Sequence, residues 1–295
     1  MKPSFAIVGC GKVGTALGVF LTRCGYRAVG LASRSLSSAQ RLAEIIGAAC
    51  AFDTPGKAAK QAEIVFITTP DDAIQETCER ISHKQGFKNK ARVFHCSGAL
   101  PSTILASAKT CGALTASMHP LQSFASAQFP SNPFKNIIVA VEGEKPAVQA
   151  AEEIASDLEA RSIRIPTAGK TLYHAAAVVA SNYLVTLIDL SFKLMGRAEI
   201  SGRDAFEVLK PLIDGTLANI DAVGIPEALT GPIARGDIKT VKDHLDAMQS
   251  LAPQLLRLYQ ILGVYTVDIA TDKGTLSGSA AQELKTLLNP DSPSG

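Results

Sequence analysis

The residues best placed to do chemistry in this chain begin with glycines. Gly9-Cys10-Gly11-Lys12-Val13-Gly14 follows the apolar run Phe5-Ala6-Ile7-Val8 and opens a helical pattern over 12–23. Strand, GxGxxG and helix in that order make a phosphate cradle. Gly9 allows the tight turn, Gly11 lets backbone approach a pyrophosphate, and Gly14 lets the helix pack close to the strand. The helix start then offers free N–H groups and the positive end of its dipole. A dinucleotide is the ligand this predicts, and the end of the next strand, 27–32, says which one. An NAD site usually carries an acid there for the ribose hydroxyls. Here the residues are Ser33-Arg34-Ser35. Arg34 suits a bidentate pair with a 2′-phosphate, helped by the two hydroxyls, so the spacing predicts NADP(H).

Ligands of open α/β sheets lie at the carboxyl ends of the strands, so those ends are where further chemistry is sought. Thr68-Thr69-Pro70-Asp71-Asp72 follows the third run and places Thr69 and Pro70 against the ribose or adenine side; it also reads as a turn and a helix start. His95-Cys96-Ser97-Gly98 follows the fourth and puts Ser97 and Gly98 near the nicotinamide, with a capping serine and a turn glycine as the structural alternative. His119, in Met118-His119-Pro120, follows the fifth. It can hydrogen-bond a substrate oxygen and exchange its proton as a hydride moves. Tyr173, His174, Ser181 and Asn182 interrupt the long apolar stretch 171–195. His174, Val178 and Asn182 form an i, i+4, i+8 row, with Asn182 about 80° round from His174 on α-helical geometry. Burying such a row unpaired costs a few kcal/mol, so it should face a cleft or a polar partner. His119, His174 and Asn182 are the candidate catalytic residues. Further on, Arg235 in Thr230-Gly231-Pro232-Ile233-Ala234-Arg235-Gly236-Asp237, followed by His244, could clamp a carboxylate, reach across a dimer or pair with Asp237.

The elements that must position these groups alternate through the first half. Strand patterns fall at 4–9, 27–32, 63–68, 91–96, 113–118, 136–141 and 161–165, and helical ones at 12–23, 37–46, 71–81, 101–109 and 145–159. That is the rhythm of a parallel sheet. Ser37-Ser38 and Asp71-Asp72 offer caps. Past Pro166 no strand pattern follows. One long helix is expected over 170–196, then helices at 202–213, 216–222, 231–234, 237–248, 251–270 and 277–288. The expected organisation is an α/β Rossmann-type domain over 1–167, a helical substrate and dimerisation domain over 168–290, and a disordered tail over 291–295.

Composition narrows the class. The chain has 295 residues, 46% hydrophobic and 19% charged, with 29 basic against 27 acidic residues for a net charge of +2. Two ordinary globular domains fit this, and no basic stripe points to nucleic acid or a membrane surface. No run of 18 uninterrupted apolar residues indicates a membrane span. The six cysteines all precede residue 112 and none are closer than Cys10 and Cys24, with thirteen residues between them. That spacing contains no zinc pattern, predicts no metal site, and reads as reduced core thiols of a cytoplasmic protein. Small residues before Cys10 mimic a lipoprotein signal, but the apolar stretch is too short and the glycine pattern explains it better.

GCGKVG, SRS, TTPDDAI, HCSGAL, HPLQSF, LYHAAAVVASNYL and TGPIARGD together resemble Rossmann-like proteins with a C-terminal DUF2520 domain, over nearly the whole chain. More distantly the chain is similar to the 6-phosphogluconate dehydrogenase-like group, which includes pyrroline-5-carboxylate reductase, ketopantoate reductase and prephenate dehydrogenase. The resemblance implies NAD(P) on the first domain, a small-molecule substrate closed between the two domains, and a homodimer or larger assembly. His119-Pro120 is similar to a pair near the prephenate dehydrogenase site, though the arginine of that site has no counterpart here. Ketopantoate reductases carry a lysine and asparagines along their first long interdomain helix. His174 and Asn182 fall on that kind of row, and the lysine is missing unless Lys170 serves. The expectation is an NADP(H)-dependent oxidoreductase acting on a small carbonyl, imine or hydroxy acid. The competing expectation is an NADP(H)-binding sensor or assembly protein without turnover, and a deazaflavin-using oxidoreductase would share the glycine loop.

Overall fold

Apolar runs separated by helix-length crossovers can pair side by side in the same direction, which is how the first half folds. The computed structural model describes residues 1–124, 126–200 and 203–289, without the side chains of 203 and 204. The tail expected to be disordered, 291–295, lies outside the described residues. Eight strands form one sheet: β1 (Ser4–Val8), β2 (Arg27–Ala32), β3 (Ala51–Phe52), β4 (Ile64–Ile67), β5 (Arg92–His95), β6 (Leu114–Pro120), β7 (Ile138–Gly143) and β8 (Arg161–Arg164). Their order is β3-β2-β1-β4-β5-β6-β7-β8. All pairings are parallel except β6 with β7.

Both faces of the sheet are covered, which is why its strands read as continuous apolar runs. Phe5, Ile7, Phe66 and Phe94 point to the face packed by α1 (Lys12–Arg23), α2 (Leu36–Ile46) and α5 (Lys145–Asp157), through Leu17, Phe20, Leu42 and Ile154. Ala6, Val8, Val65, Ile67 and Val93 point to the other, where α3 (Pro55–Ala59), α4 (Asp71–His83) and a 3₁₀ segment, Ser102–Cys111, contribute Ala59, Ile74, Ile81 and Leu105. The sheet order reverses between β2-β1 and β4, so a crevice opens at the carboxyl end of β1, where Gly9 sits.

Several expectations change. The two-residue β3 and the five-residue α3 were not anticipated, because elements so short carry no periodicity. The 101–109 helix is 3₁₀. The N-cap of α2 is Ser35 and not Ser37-Ser38, and that of α4 is Pro70. The helix expected over 170–196 is α6 (Lys170–Val178), a π turn (Val179–Tyr183) and α7 (Leu184–Arg197). The chain divides into two compact units, 1–182 and 183–295. The compositional change near 167 marks where β8 gives way to helix.

The second unit holds helices joined by turns, with no strand among its described residues. α8 (Arg203–Val223) runs unbroken through Pro211 and Gly215, where two helices were expected. An internal glycine costs about 1 kcal/mol against alanine, which weakens a helix without ending it. α9 (Ile238–Leu251) is capped by Asp237, whose side chain accepts from Thr240 N. It packs with α10 (Pro253–Asp272) and α11 (Gly278–Leu288) around Val241, Val267 and Leu284. The short helix expected at 231–234 is a series of turns, with Gly231 at φ +97°. The helix Thr167–Arg197 is long and apolar enough to cross a membrane, by length and composition only, and 6% of its most apolar window is buried in the single chain.

Candidate active site

The glycine loop leaves β1 with its backbone fixed on both sides. Gly9 N–H donates to Ala32 O at 2.7 Å, and Thr68 Oγ1 donates to Gly9 O at 2.6 Å. Gly9 has φ +113°, and a Cβ there would lie 2.6 Å from the Thr68 backbone. A Cβ on Gly14 would lie 2.1 Å from Gly9 O, so α1 reaches this close only with glycine. Gly11 differs: nothing lies within 4 Å of a Cβ built on it. It has an extended backbone and no side-chain cap, so the first N–H groups of α1 face that open space. No acidic side chain occupies the first turn of α1. Lys12 is exposed at the helix start, and Val13 packs against the core. Cys10 is buried with Sγ 3.5 Å from Ala32 O, and burial pushes its thiol up to about 12, which leaves it unreactive.

The turn after β2 meets this loop. Ser33 Oγ accepts from Cys10 N at 3.4 Å, Ser35 and Ser37 share a hydroxyl hydrogen bond at 2.6 Å, and Arg34 is exposed without an ion pair among the described residues. Across the crevice, Thr69 Oγ1 is buried and has no hydrogen-bond partner. Pro70 next to it is exposed. An orphaned hydroxyl, an open glycine position and bare helix N–H groups around one crevice fit a dinucleotide.

Ser97 is not a free hydroxyl. It donates to Asp71 Oδ2 at 2.7 Å and accepts from Ala99 N and Leu100 N at 3.2 and 3.0 Å. Its side chain therefore ties the turn after β5 to the start of α4. His95 is equally committed. Its Nδ1 accepts from Ser97 N at 3.2 Å and its Nε2 lies 3.2 Å from Pro101 O, so Nε2 carries the proton. Burial, then the Lys170 cation, hold its pKa down to about 3.

The turn that Ser97 fixes carries Gly98 into a cluster of rings. A Cβ on Gly98 would lie 2.5 Å from His174 Nδ1 and 2.8 Å from His119 Cε1 and Nε2. The two imidazoles cross at 80° with centroids 6.0 Å apart. His119 Nδ1 is 3.0 Å from Tyr173 Oη, and His174 Nδ1 is buried without a partner. Burial first, then Lys170 and His174, depress the His119 pKa to about 4. At neutral pH this imidazole is uncharged.

Beneath the rings, Lys170 and Glu142 form a buried ion pair. Lys170 Nζ also donates to Ser117 Oγ, and Ser117 lies two residues before His119 on the same side of β6. Glu142 accepts from Ser102 N at 2.6 Å, Ser102 Oγ at 2.8 Å and Thr167 Oγ1 at 2.9 Å. The N-terminal end of α6 is thereby pinned to β6 and β7, and Tyr173 and His174, one turn on, meet His119. Burial lowers the Lys170 pKa while Glu142 acts against it. Lys170 thus lies under the cluster with its ammonium engaged.

Of the predicted catalytic residues, His119 and His174 come together. Asn182 is exposed within the π turn. Such a turn advances less per residue than an α turn, so it carries Asn182 back toward the His174 line and reduces the 80° drift expected of an α-helix. Arg235 is exposed, Asp237 serves α9, and His244 pairs with Tyr259 Oη at 2.8 Å. Sequence reasoning named Gly98 and Tyr173 without their partners, and missed Ser117 and Glu142 altogether. Of the two missed residues, Glu142 left a signal, a carboxylate closing the apolar run Ile138-Val139-Ala140-Val141.

Two family models match the chain. A Rossmann-like domain covers 2–120, and a domain of unknown function, DUF2520, covers 137–266. Among solved structures, a putative NADP oxidoreductase from Bacteroides fragilis is 25% identical, with TM-score 0.72 over 92% of this chain and 98% of that one. A protein from Thermotoga maritima is also 25% identical, with TM-score 0.68 over 92% and 99%. A pyrroline-5-carboxylate reductase from Coxiella burnetii shares the fold at 16% identity, TM-score 0.57, over 97% and 99%. No curated protein matches.

Proposed function

We propose, from the premise that the chain is a Rossmann-like protein carrying a DUF2520 domain, that it is an NADP(H)-dependent oxidoreductase of a small carbonyl, imine or hydroxy acid. The observation that carries this is the closure of His119 and His174 on Gly98, at the carboxyl edge of the same sheet whose β1 end bears the glycine loop. The likeness to a Bacteroides protein described as a putative NADP oxidoreductase supports the same reading.

Gly9, Cys10, Gly11, Lys12, Val13 and Gly14 would hold the pyrophosphate, Ser33, Arg34 and Ser35 the 2′-phosphate, and Thr69 and Pro70 the ribose side. Ser97 holds the turn beneath the nicotinamide. A bound nicotinamide supplies or takes the hydride. The chain's part is to place the substrate oxygen or nitrogen against His119 Nε2 and His174 Nδ1, with Asn182 orienting the substrate from the π turn. A screen of oxo acids, imines and hydroxy acids for change at the reduced-nicotinamide absorbance band tests this. Turnover that disappears in His119→Ala and His174→Ala supports it; full activity in both variants contradicts it.

The exposed apolar residues of the long helix, Leu172, Val179, Tyr183 and Val185, need cover. A second copy of the chain suits them better than lipid, because Lys170, His174, Asn182, Asp189 and Lys193 share the helix. Sedimentation should give a homodimer. Six unpaired thiols are consistent with a reducing cytoplasm.

A further inference from the structure

His119 cannot act alone as the acid that the proposed reaction needs. An uncharged imidazole that gives up its only N–H becomes an imidazolate unless a proton arrives on the other nitrogen as the first one leaves. The neighbour of that other nitrogen is Tyr173 Oη, 3.0 Å from Nδ1. The rings of Tyr173 and His119 meet edge to face at 86°, which leaves the phenol hydroxyl at the ring edge. A phenol is a far better donor than a neutral imidazole N–H, and the unprotonated imidazole nitrogen is the better base. The hydrogen bond therefore runs from Tyr173 O–H to Nδ1, and the His119 proton resides on Nε2, the nitrogen packed against Gly98 and near the orphaned His174 Nδ1. Burial raises the Tyr173 pKa, so the phenol rests protonated.

We propose that Tyr173 is a positioning residue that fixes His119 as the Nε2–H tautomer and refills its Nδ1, making the pair a proton relay to a substrate oxygen. This rests on the oxidoreductase reading above. As charge develops on the oxygen, the Nε2–H bond breaks and an O–H bond forms; the Tyr173 O–H bond breaks and an Nδ1–H bond forms. When product leaves, water returns a proton to Nε2 and Nδ1 hands its own back to the phenolate. One proton is drawn from water per turnover, and no electrons move within the relay. Ser117 on β6 and Lys170 at the start of α6, 53 positions apart, are joined by the Lys170 hydrogen bond, which sets the helix so that Tyr173, and not only His174, reaches the ring.

The test needs neither cofactor nor substrate. Long-range ¹H–¹⁵N correlation spectra of ¹⁵N-histidine-labelled protein resolve five imidazoles, with His119 assigned by its loss in His119→Gln. Wild-type His119 should show a protonated Nε2 and an unprotonated, hydrogen-bonded Nδ1. In Tyr173→Phe the two nitrogens should move toward a tautomer average while His95, locked by its own partners, stays put. A wild-type proton on Nδ1, or an unchanged signature in Tyr173→Phe, overturns the relay. If that variant does not fold, the wild-type spectrum decides. Once a substrate is found, Tyr173→Phe should lower turnover roughly 10²- to 10⁴-fold with NADPH affinity unchanged. Failure of NADPH to bind would count against the oxidoreductase reading and leave the tautomer result intact.

Discussion

Lys170 Nζ lies 3.8 Å from Glu142 Oε1, and both side chains are 1% exposed. Removing one partner strands the other charge in the interior. Glu142→Gln or Lys170→Met should each cost about 3–5 kcal/mol in urea unfolding, while the double variant should cost less than the sum. Additive losses would show that the two groups do not depend on each other.

Gly98 is open to a sharper test. A methyl group there would press on His174 Nδ1 and the His119 ring. Gly98→Ala should drive the rings apart by a fraction of an ångström or more and lower turnover on the order of 10²-fold. The glycine loop and the Ser33-Arg34-Ser35 turn lie elsewhere in the sheet, so NADPH affinity should fall far less than turnover. Steady-state kinetics beside a binding titration would check both halves.

Gly11 and Gly14 should separate binding from folding. Gly11 has room for a side chain in the free protein, so Gly11→Val should keep its melting temperature and lose NADPH. Gly14→Ala forces a methyl to within 2.1 Å of Gly9 O and should lower the melting temperature. Equal behaviour of the two variants in both assays would remove the cradle argument.

Acid should weaken the fold before the carboxylates titrate. His95 and His119 have folded pKa values of about 3 and about 4, against about 6.5 unfolded. The unfolded chain therefore binds more protons, and stability falls as pH drops below 6.5, by up to about 1.4 kcal/mol per pH unit for each histidine. The loss continues to about 4 for His119 and about 3 for His95. Denaturation midpoints at pH 7, 6 and 5 measure it. A flat profile would mean that the rings are charged in the fold.

What the sequence made legible follows from what is local. The glycine loop, the Ser33-Arg34-Ser35 turn and the placement of His119 at a strand end each depend on residues close to one another in sequence. The partners of His119 do not. Tyr173 lies 54 positions away, and the Lys170 that aligns it reaches Ser117 across 53. No periodicity encodes such pairs. The π turn at Val179–Tyr183 was equally invisible, since its residues suit an α-helix and only the hydrogen-bond register differs. Ser97 shows the converse: its two readings, turn cap and site residue, could be weighed only when Asp71, Ala99 and Leu100 were seen on its hydroxyl.

The central claim is an NADP(H) site whose 2′-phosphate pairs with Arg34. Its most direct test is a fluorescence titration of NADPH and NADH into wild type and Arg34→Ala. A bidentate charged pair is worth about 1.5–3 kcal/mol. NADPH should therefore bind at least about tenfold more tightly than NADH in wild type, and the preference should vanish in the variant through weaker NADPH binding alone. Equal binding of both cofactors in wild type, or no binding of either, would contradict the account.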